Sequence, residues 1–162
     1  MATKETIAIV SDKSGFPLKE AVTEYLKSRD DVEVLDFGLY SADENEPYPV
    51  QAPKVAKAIQ DGRAHRGVAI CGTGQGMGIV CNKFQGVYAV VADTVFAASK
   101  GRIINNANVV TMGGWITAPK LGVDIVASWL DLAFTETMEE RAEWLKNAYG
   151  MVQKIEEENF GS

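Results

Sequence analysis

Short apolar runs rich in β-branched residues alternate along this chain with longer amphipathic stretches, and that alternation narrows the folds open to it more than any other feature. The runs Thr6 to Val10, Val32 to Phe37, Gly67 to Cys71, Val87 to Val91 and Val109 to Met112 are bounded by Gly, Asp or Asn, as strands are. Most carry apolar residues at consecutive positions, the pattern of strands covered on both faces. The stretches between them predict helices over Pro17 to Ser28, Ala52 to Asp61, Gly76 to Lys83, Thr94 to Ile103 and Ala118 to Leu132. Pro17 opens the first helix where a missing N–H is tolerated, and Gly62 follows the second as a C-terminal cap. This order predicts an α/β fold, a Rossmann-like three-layer α/β/α sandwich around a five-stranded parallel sheet with right-handed crossovers. Ligands of such sheets sit at the carboxyl ends of the strands.

Those ends carry chemistry. The third run hands over to Cys71-Gly72-Thr73-Gly74-Gln75-Gly76-Met77-Gly78, where four glycines at alternate positions leave the backbone free of Cβ atoms. Several N–H groups can then surround one small anion, and negative charge developing on an oxygen beside Cys71 is stabilised there. The loop is not a P-loop, which ends in Gly-Lys-Ser/Thr, and its G-x-G-x-G-x-G spacing is not the dinucleotide fingerprint G-x-G-x-x-G. The first run ends in Ser11-Asp12-Lys13-Ser14-Gly15, and Arg102 to Asn108 lead into the fifth. In a parallel sheet Asp12, Lys13, Cys71, Thr73 and Asn105 are expected to face one crevice.

Composition removes several alternatives. At 162 residues, 46% hydrophobic and 23% charged, one globular domain with a substantial core is expected. Net charge of −6 without clustered Lys or Arg argues against nucleic acid as a partner. No apolar run approaches the roughly 20 residues that span a bilayer, and Met1 to Glu5 do not begin a signal peptide, so no membrane association and a cytoplasmic location are expected. Two cysteines outside C-x-x-C spacing and a single His leave no zinc site.

The chain divides into a core, 1–134, and a C-terminal extension of the same domain, 135–162. Thr137 and Glu140 have capping-box spacing. Met138, Ala142, Leu145, Tyr149, Val152 and Ile155 form one apolar stripe along a long acidic helix, expected to contact a partner subunit or its own sheet.

Taken together, Asp12-x-x-Gly15, Tyr48-Pro49, Cys71-Gly72-Thr73-Gly74-x-Gly76, Asn82-Lys83, Arg102 and Asn105-x-x-Asn108-Val109 resemble the family of ribose-5-phosphate isomerase B and galactose-6-phosphate isomerase. The resemblance covers roughly Thr6 to Leu130. It implies a Rossmann-like fold, a homodimer or homotetramer, no cofactor, a sugar or sugar phosphate as the small-molecule partner, and an active site that draws residues from a neighbouring chain. The chain departs from the family pattern in three places. Lys13 stands where most of the ribose-phosphate isomerases carry His, Ile104 stands where they carry the His linked to ring opening, and the Gly-Gly-Arg-His signature that supplies a phosphate-binding arginine is absent.

Aldose–ketose exchange needs a base for the proton beside the carbonyl, a site for the enediolate charge, and a route for protons between two oxygens. Cys71 is the expected base, its thiolate favoured by the loop amides and the helix start. Thr73 is the expected relay. Gly72, Gly74, Gln75 and Gly76 are expected to hold the substrate through the loop, Asp12, Tyr48 and Asn105 to contact sugar oxygens or wall the site, and Lys13 and Arg141 to meet an anion; the resemblance adds Arg102 as a substrate-binding residue. Cys81 reads as packing, His65 as remote from catalysis, and Trp115, Trp129 and Trp144 as core or interface anchors. With Ile104 unable to transfer a proton, the expected substrate arrives open, as a tetrose phosphorylated on its terminal oxygen does. The alternatives are a non-catalytic sugar-phosphate-binding subunit and an isomerase of an unphosphorylated sugar.

Overall fold

Alternation within each strand sorts the core into two layers. Ile7 and Ile9, Val68 and Ile70, and Val110 and Met112 bury on one face of the sheet, while Ala8 and Val10, Ala69 and Cys71, and Val109 bury on the other. A strand buried on both faces must be covered by helices on both sides, and this one is. The computed structural model describes residues 3–161, so Met1 and Ala2 of the expected core segment and Ser162 of the extension lie outside it.

The strands are β1 (Glu5–Ser11), β2 (Val32–Asp36), β3 (Arg66–Cys71), β4 (Ala89–Val91) and β5 (Val109–Gly113). They form one parallel sheet in the order β2-β1-β3-β5-β4. The helices are α1 (Phe16–Ser28), α2 (Tyr48–Gln60), α3 (Gln75–Cys81), α4 (Val95–Asn105), α5 (Pro119–Asp131) and α6 (Ala142–Phe160). Side chains of α1, α4 and α5 pack on the face of Ile7 and Ile70, around the fully buried Trp129. Those of α2 and α3 pack on the face of Ala8 and Cys71. The expected α/β/α sandwich is the observed one.

Several boundaries differ from expectation, and three of the differences have a clear local reason. α2 begins four residues early because Pro49 fits the first turn and Pro53, one turn in, removes only one backbone bond. β4 is two residues short because asparagines do the work of a ladder: Asn108 accepts from the Tyr88 N–H and donates to the Gly86 carbonyl, and Asn82 clasps both polar groups of Ala89. α6 starts at Ala142, not near Thr137. Thr137 has φ +62° and its N–H bonds Glu139, so the expected capping box does not form and a single 3₁₀ turn, Glu139–Arg141, leads into the helix.

The extension is anchored on its own chain. Leu145 is buried, Tyr149 meets Tyr88 edge-on at 5.3 Å between ring centres, and Glu156 accepts from the Tyr88 hydroxyl and the Gly86 N–H. Trp144, Val152 and Ile155 stay open, at 61%, 49% and 57% exposure. The stripe is therefore split between a docked half and a bare half.

Candidate active site

Strand order places the chemistry. From β1 the chain turns outward to β2, and from β3 it runs the other way, so the carboxyl ends of β1 and β3 flank the point where the sheet's direction of build reverses. Open α/β sheets bind ligands at that point. Here β1 ends in Ser11 and Asp12, β3 ends in Cys71, and Asp12 donates its backbone N–H to Ile70 across the gap.

The glycine loop is shaped by contacts that only glycines permit. Gly74 has φ +79°, a left-handed conformation that a side chain resists, and a Cβ there would meet the Met112 backbone at 2.9 Å. Its carbonyl accepts from the buried Thr111 hydroxyl at 2.9 Å, and its N–H donates to the Cys71 sulfur at 3.1 Å. The loop thus supplies a donor to the thiol, as a thiolate requires. Thr73 Oγ1 accepts from the Gln75 N–H at 3.4 Å, which leaves its hydroxyl proton free. Among the described residues no acceptor is found for the amides of Gly72 and Thr73, so both remain available to an oxygen beside Cys71.

A crevice of about 330 Å³ opens over this loop. Cys71, Gly72, Thr73 and Gly76 form its floor, Asp12 and Ser14 one side, and Tyr48, Ile79 and Trp115 its walls. Tyr48 lies against Gly76, where a Cβ would fall 2.7 Å from the ring. Asp12 both caps and lines. Its Oδ1 accepts from the Gly15 N–H at 3.1 Å, and burial raises its carboxyl above the ordinary range against the opposing pull of the Gly15 and Ser14 amides. A carboxyl so placed exchanges a proton more readily near neutrality than a solvated one.

Expected residues that do not assemble here are as informative. Lys13 is exposed in the turn after Asp12 and does not line the crevice, and the Gln75 side chain is exposed outside it. Arg102 is committed elsewhere: Nη1 donates to Asn106 and the Ala107 carbonyl, and Nε to the Leu132 carbonyl. Burial and the nearby Arg66 disfavour its charge, and in this chain it clasps the end of α4 instead of lining the crevice as a substrate-binding residue would.

Asn105 does not share the crevice, contrary to expectation. α4 starts after the carboxyl end of β4 and returns across the sheet, so its last residue sits near the start of β5. There Asn105 and Ile104 line a separate apolar groove of about 420 Å³ with Trp144, Tyr149 and Val152 of α6. Arg141 stands exposed at the start of α6, 5.5 Å from the Trp144 ring centre.

Sequence reasoning missed Trp115. Expected as a core or interface anchor, it is 75% exposed at the crevice mouth, and no periodicity marks a residue of a tight turn. Ser14 and Ile79 were also missed. His65 behaves as expected, its Nδ1 accepting from the Thr6 N–H at the far end of the sheet. Burial pushes the Cys81 thiol up to about 12, in keeping with packing. Among the described residues no cluster of three or more His, Cys, Asp or Glu is placed to hold a metal ion, and no helix is long and apolar enough to cross a membrane.

The carboxyl ends of β1 and β3 thus bring a thiol, a hydroxyl and open amides together at the point where the sheet reverses. The chain belongs to the Ribose/Galactose Isomerase family, whose profile matches residues 7–145. It is an aldose–ketose isomerase. A 4-deoxy-4-sulfo-D-erythrose isomerase of Clostridium sp. (strain MSTE9) is 47% identical over 93% of this chain and 95% of its own. A D-erythrulose-4-phosphate isomerase of Pectobacterium atrosepticum is 38% identical over 80% and 84%. The ribose-5-phosphate isomerase B structure of Clostridium thermocellum superposes with a TM-score of 0.85 at 34% identity, covering 94% of this chain and 98% of that one.

Proposed function

We propose that this chain interconverts the aldose and ketose forms of a four-carbon sugar whose terminal carbon bears an anion, phosphate or sulfonate, in place of a free hydroxyl. Cys71 as thiolate takes the proton from C2 of the aldose, and the C2 electron pair forms the enediolate double bond as the carbonyl π pair moves onto O1. The Gly72 and Thr73 amides hold that charge. The Thr73 hydroxyl carries a proton between O2 and O1, and Cys71 returns its proton to C1, giving the ketose. Carbonyl gained equals carbonyl lost, so no redox cofactor is required. The convergence of Cys71, Thr73 and open amides in one crevice carries this reading.

Substrate length rests on Ile104. An isomerase of ring-forming sugars benefits from an acid–base group that opens the ring, and Ile104 occupies the position where the family resemblance places one. A tetrose substituted at C4 has no hydroxyl with which to close a five-membered ring. The names of the two relatives above both denote such sugars.

The active unit in this reading is a homodimer or a dimer of dimers. What supports it is the bare half of α6, together with Asn105 and Arg141, which are exposed, do not line their own chain's crevice and are free to serve a neighbour's, Arg141 meeting the terminal anion. Two free thiols suit a reducing, cytoplasmic compartment. The test is kcat/KM for D-erythrose 4-phosphate, 4-deoxy-4-sulfo-D-erythrose, D-ribose 5-phosphate and D-galactose 6-phosphate, with deuterium uptake from solvent followed by NMR. The tetroses should lead. A clear preference for ribose or galactose phosphate overturns the argument from Ile104, and solvent deuterium at the carbon next to the carbonyl, entering as the Cys71 thiol exchanges, supports the enediolate route, since a direct hydride shift admits none.

A further inference from the structure

An indole left three-quarters exposed is unusual unless something docks on it, and Trp115 is held in place instead of hanging free. The turn that carries it is pinned to the catalytic loop by two backbone bonds, Gly114 N–H to the Cys71 carbonyl at 2.7 Å and Trp115 N–H to the Gly72 carbonyl at 3.0 Å. One ring face lies on Gly72 so closely that a Cβ there would fall 2.8 Å from Cδ2 and Cε3. Beneath the turn, Gly113 and Gly114 permit approaches to the Gly72 and Ser14 carbonyls that any side chain would block, at 2.5 and 2.3 Å from an added Cβ. These backbone features fix the turn, and the ring it carries rests on the residue that follows Cys71.

We propose that Trp115 is the specificity-determining wall of this crevice, setting the length of sugar that reaches Cys71. The inference rests on the reading of the site as a sugar isomerase and deepens it. Tyr48 on Gly76 and Trp115 on Gly72 are two aromatic walls standing on alternate glycines of one loop, and between them the crevice holds only about 330 Å³. That is the small end of the range for ligand sites, roughly 300–1,000 Å³. Because the turn is held by backbone bonds, the indole leaves the crevice only by rotating off Gly72 into solvent. A fifth carbon with its hydroxyl must then displace the ring or lift the reacting carbon from the thiol. Single-methylene discrimination in an apolar pocket runs from about 10-fold to about 200-fold. A wall of this kind is expected at or above the lower figure.

The experiment compares Trp115→Ala and Trp115→Phe with the unaltered enzyme on D-erythrose 4-phosphate and D-ribose 5-phosphate. The tetrose-to-pentose ratio of kcat/KM should fall at least about 10-fold in Trp115→Ala, the lower end of methylene discrimination, with Trp115→Phe between. Calorimetric binding of D-erythritol 4-phosphate and D-ribitol 5-phosphate, which cannot be isomerised, should show the same shift without turnover. A parallel loss on both sugars with an unchanged binding ratio would mean that Trp115 merely supports the loop, and overturns the inference. The enzyme's own preference is a separate outcome: if it favours pentoses, the tetrose reading fails, while the response of the ratio to Trp115→Ala still decides the role of the wall.

Discussion

Gly74→Ala is the substitution whose cost can be worked most directly from the geometry. Placing a Cβ at φ +79° costs about 1–2 kcal/mol for the left-handed backbone alone. The added carbon then meets the Met112 C, Cα and N atoms at 2.9–3.0 Å, and these belong to the buried central part of the sheet, which has no room to retreat. Forced overpacking of that kind adds about 1–3 kcal/mol, for a total of about 2–5 kcal/mol. Gly62→Ala is the matched control. Gly62 also has a positive φ, +70°, but nothing lies within 4 Å of its added Cβ, so only the first cost applies. The two variants should therefore differ by about 1–3 kcal/mol in urea unfolding, the overpacking part alone. Because Gly74 N–H donates to Cys71 and its carbonyl holds Thr111, turnover should collapse in Gly74→Ala and stay near normal in Gly62→Ala. Equal stability of the two variants, with turnover retained in both, would refute the reasoning that close backbone packing sets the loop.

Cys71→Ser should preserve folding and ligand binding and lower turnover at least about 100-fold, the scale of a lost general base, whereas Cys81→Ala should leave turnover nearly intact. Folded Cys81 holds its proton up to about 12 against an ordinary 9.0, so its contribution is intact below about 9 and is lost as pH rises towards 12; Cys81→Ala should flatten that alkaline fall in thermal unfolding. Burial raises the Asp12 carboxyl, so its ionised form costs stability once pH rises above the ordinary 3.8. Asp12→Asn, which keeps an acceptor for the Gly15 N–H, should unfold at a higher temperature than the parent near neutrality, with the gain vanishing in acid, and should isomerise more slowly. Truncation after Leu132 exposes Tyr88 and the groove beside Ile104 and should give monomer or aggregate by sedimentation; a well-behaved, fully active oligomer would contradict a role for α6 in assembly.

Periodicity and composition sufficed for the layers of this protein, because strands buried on both faces and one-sided helices leave different signatures in any window of the chain. They also sufficed for the glycine loop, since a Cys at a strand end followed by alternate glycines is a local backbone statement. The order β2-β1-β3-β5-β4 was not local, and on it depends which strand ends become neighbours: Asp12 and Cys71 do, Asn105 does not, because α4 carries it back across the sheet. The split of the C-terminal stripe between Leu145 and Tyr149 inside and Val152 and Ile155 outside likewise needed the position of Tyr88. Trp115 shows the difference most sharply. Its sequence neighbours form an ordinary turn, and it becomes a wall of the crevice only because two backbone bonds to distant carbonyls seat that turn beside Gly72, a contact between segments about 40 residues apart that no local pattern encodes.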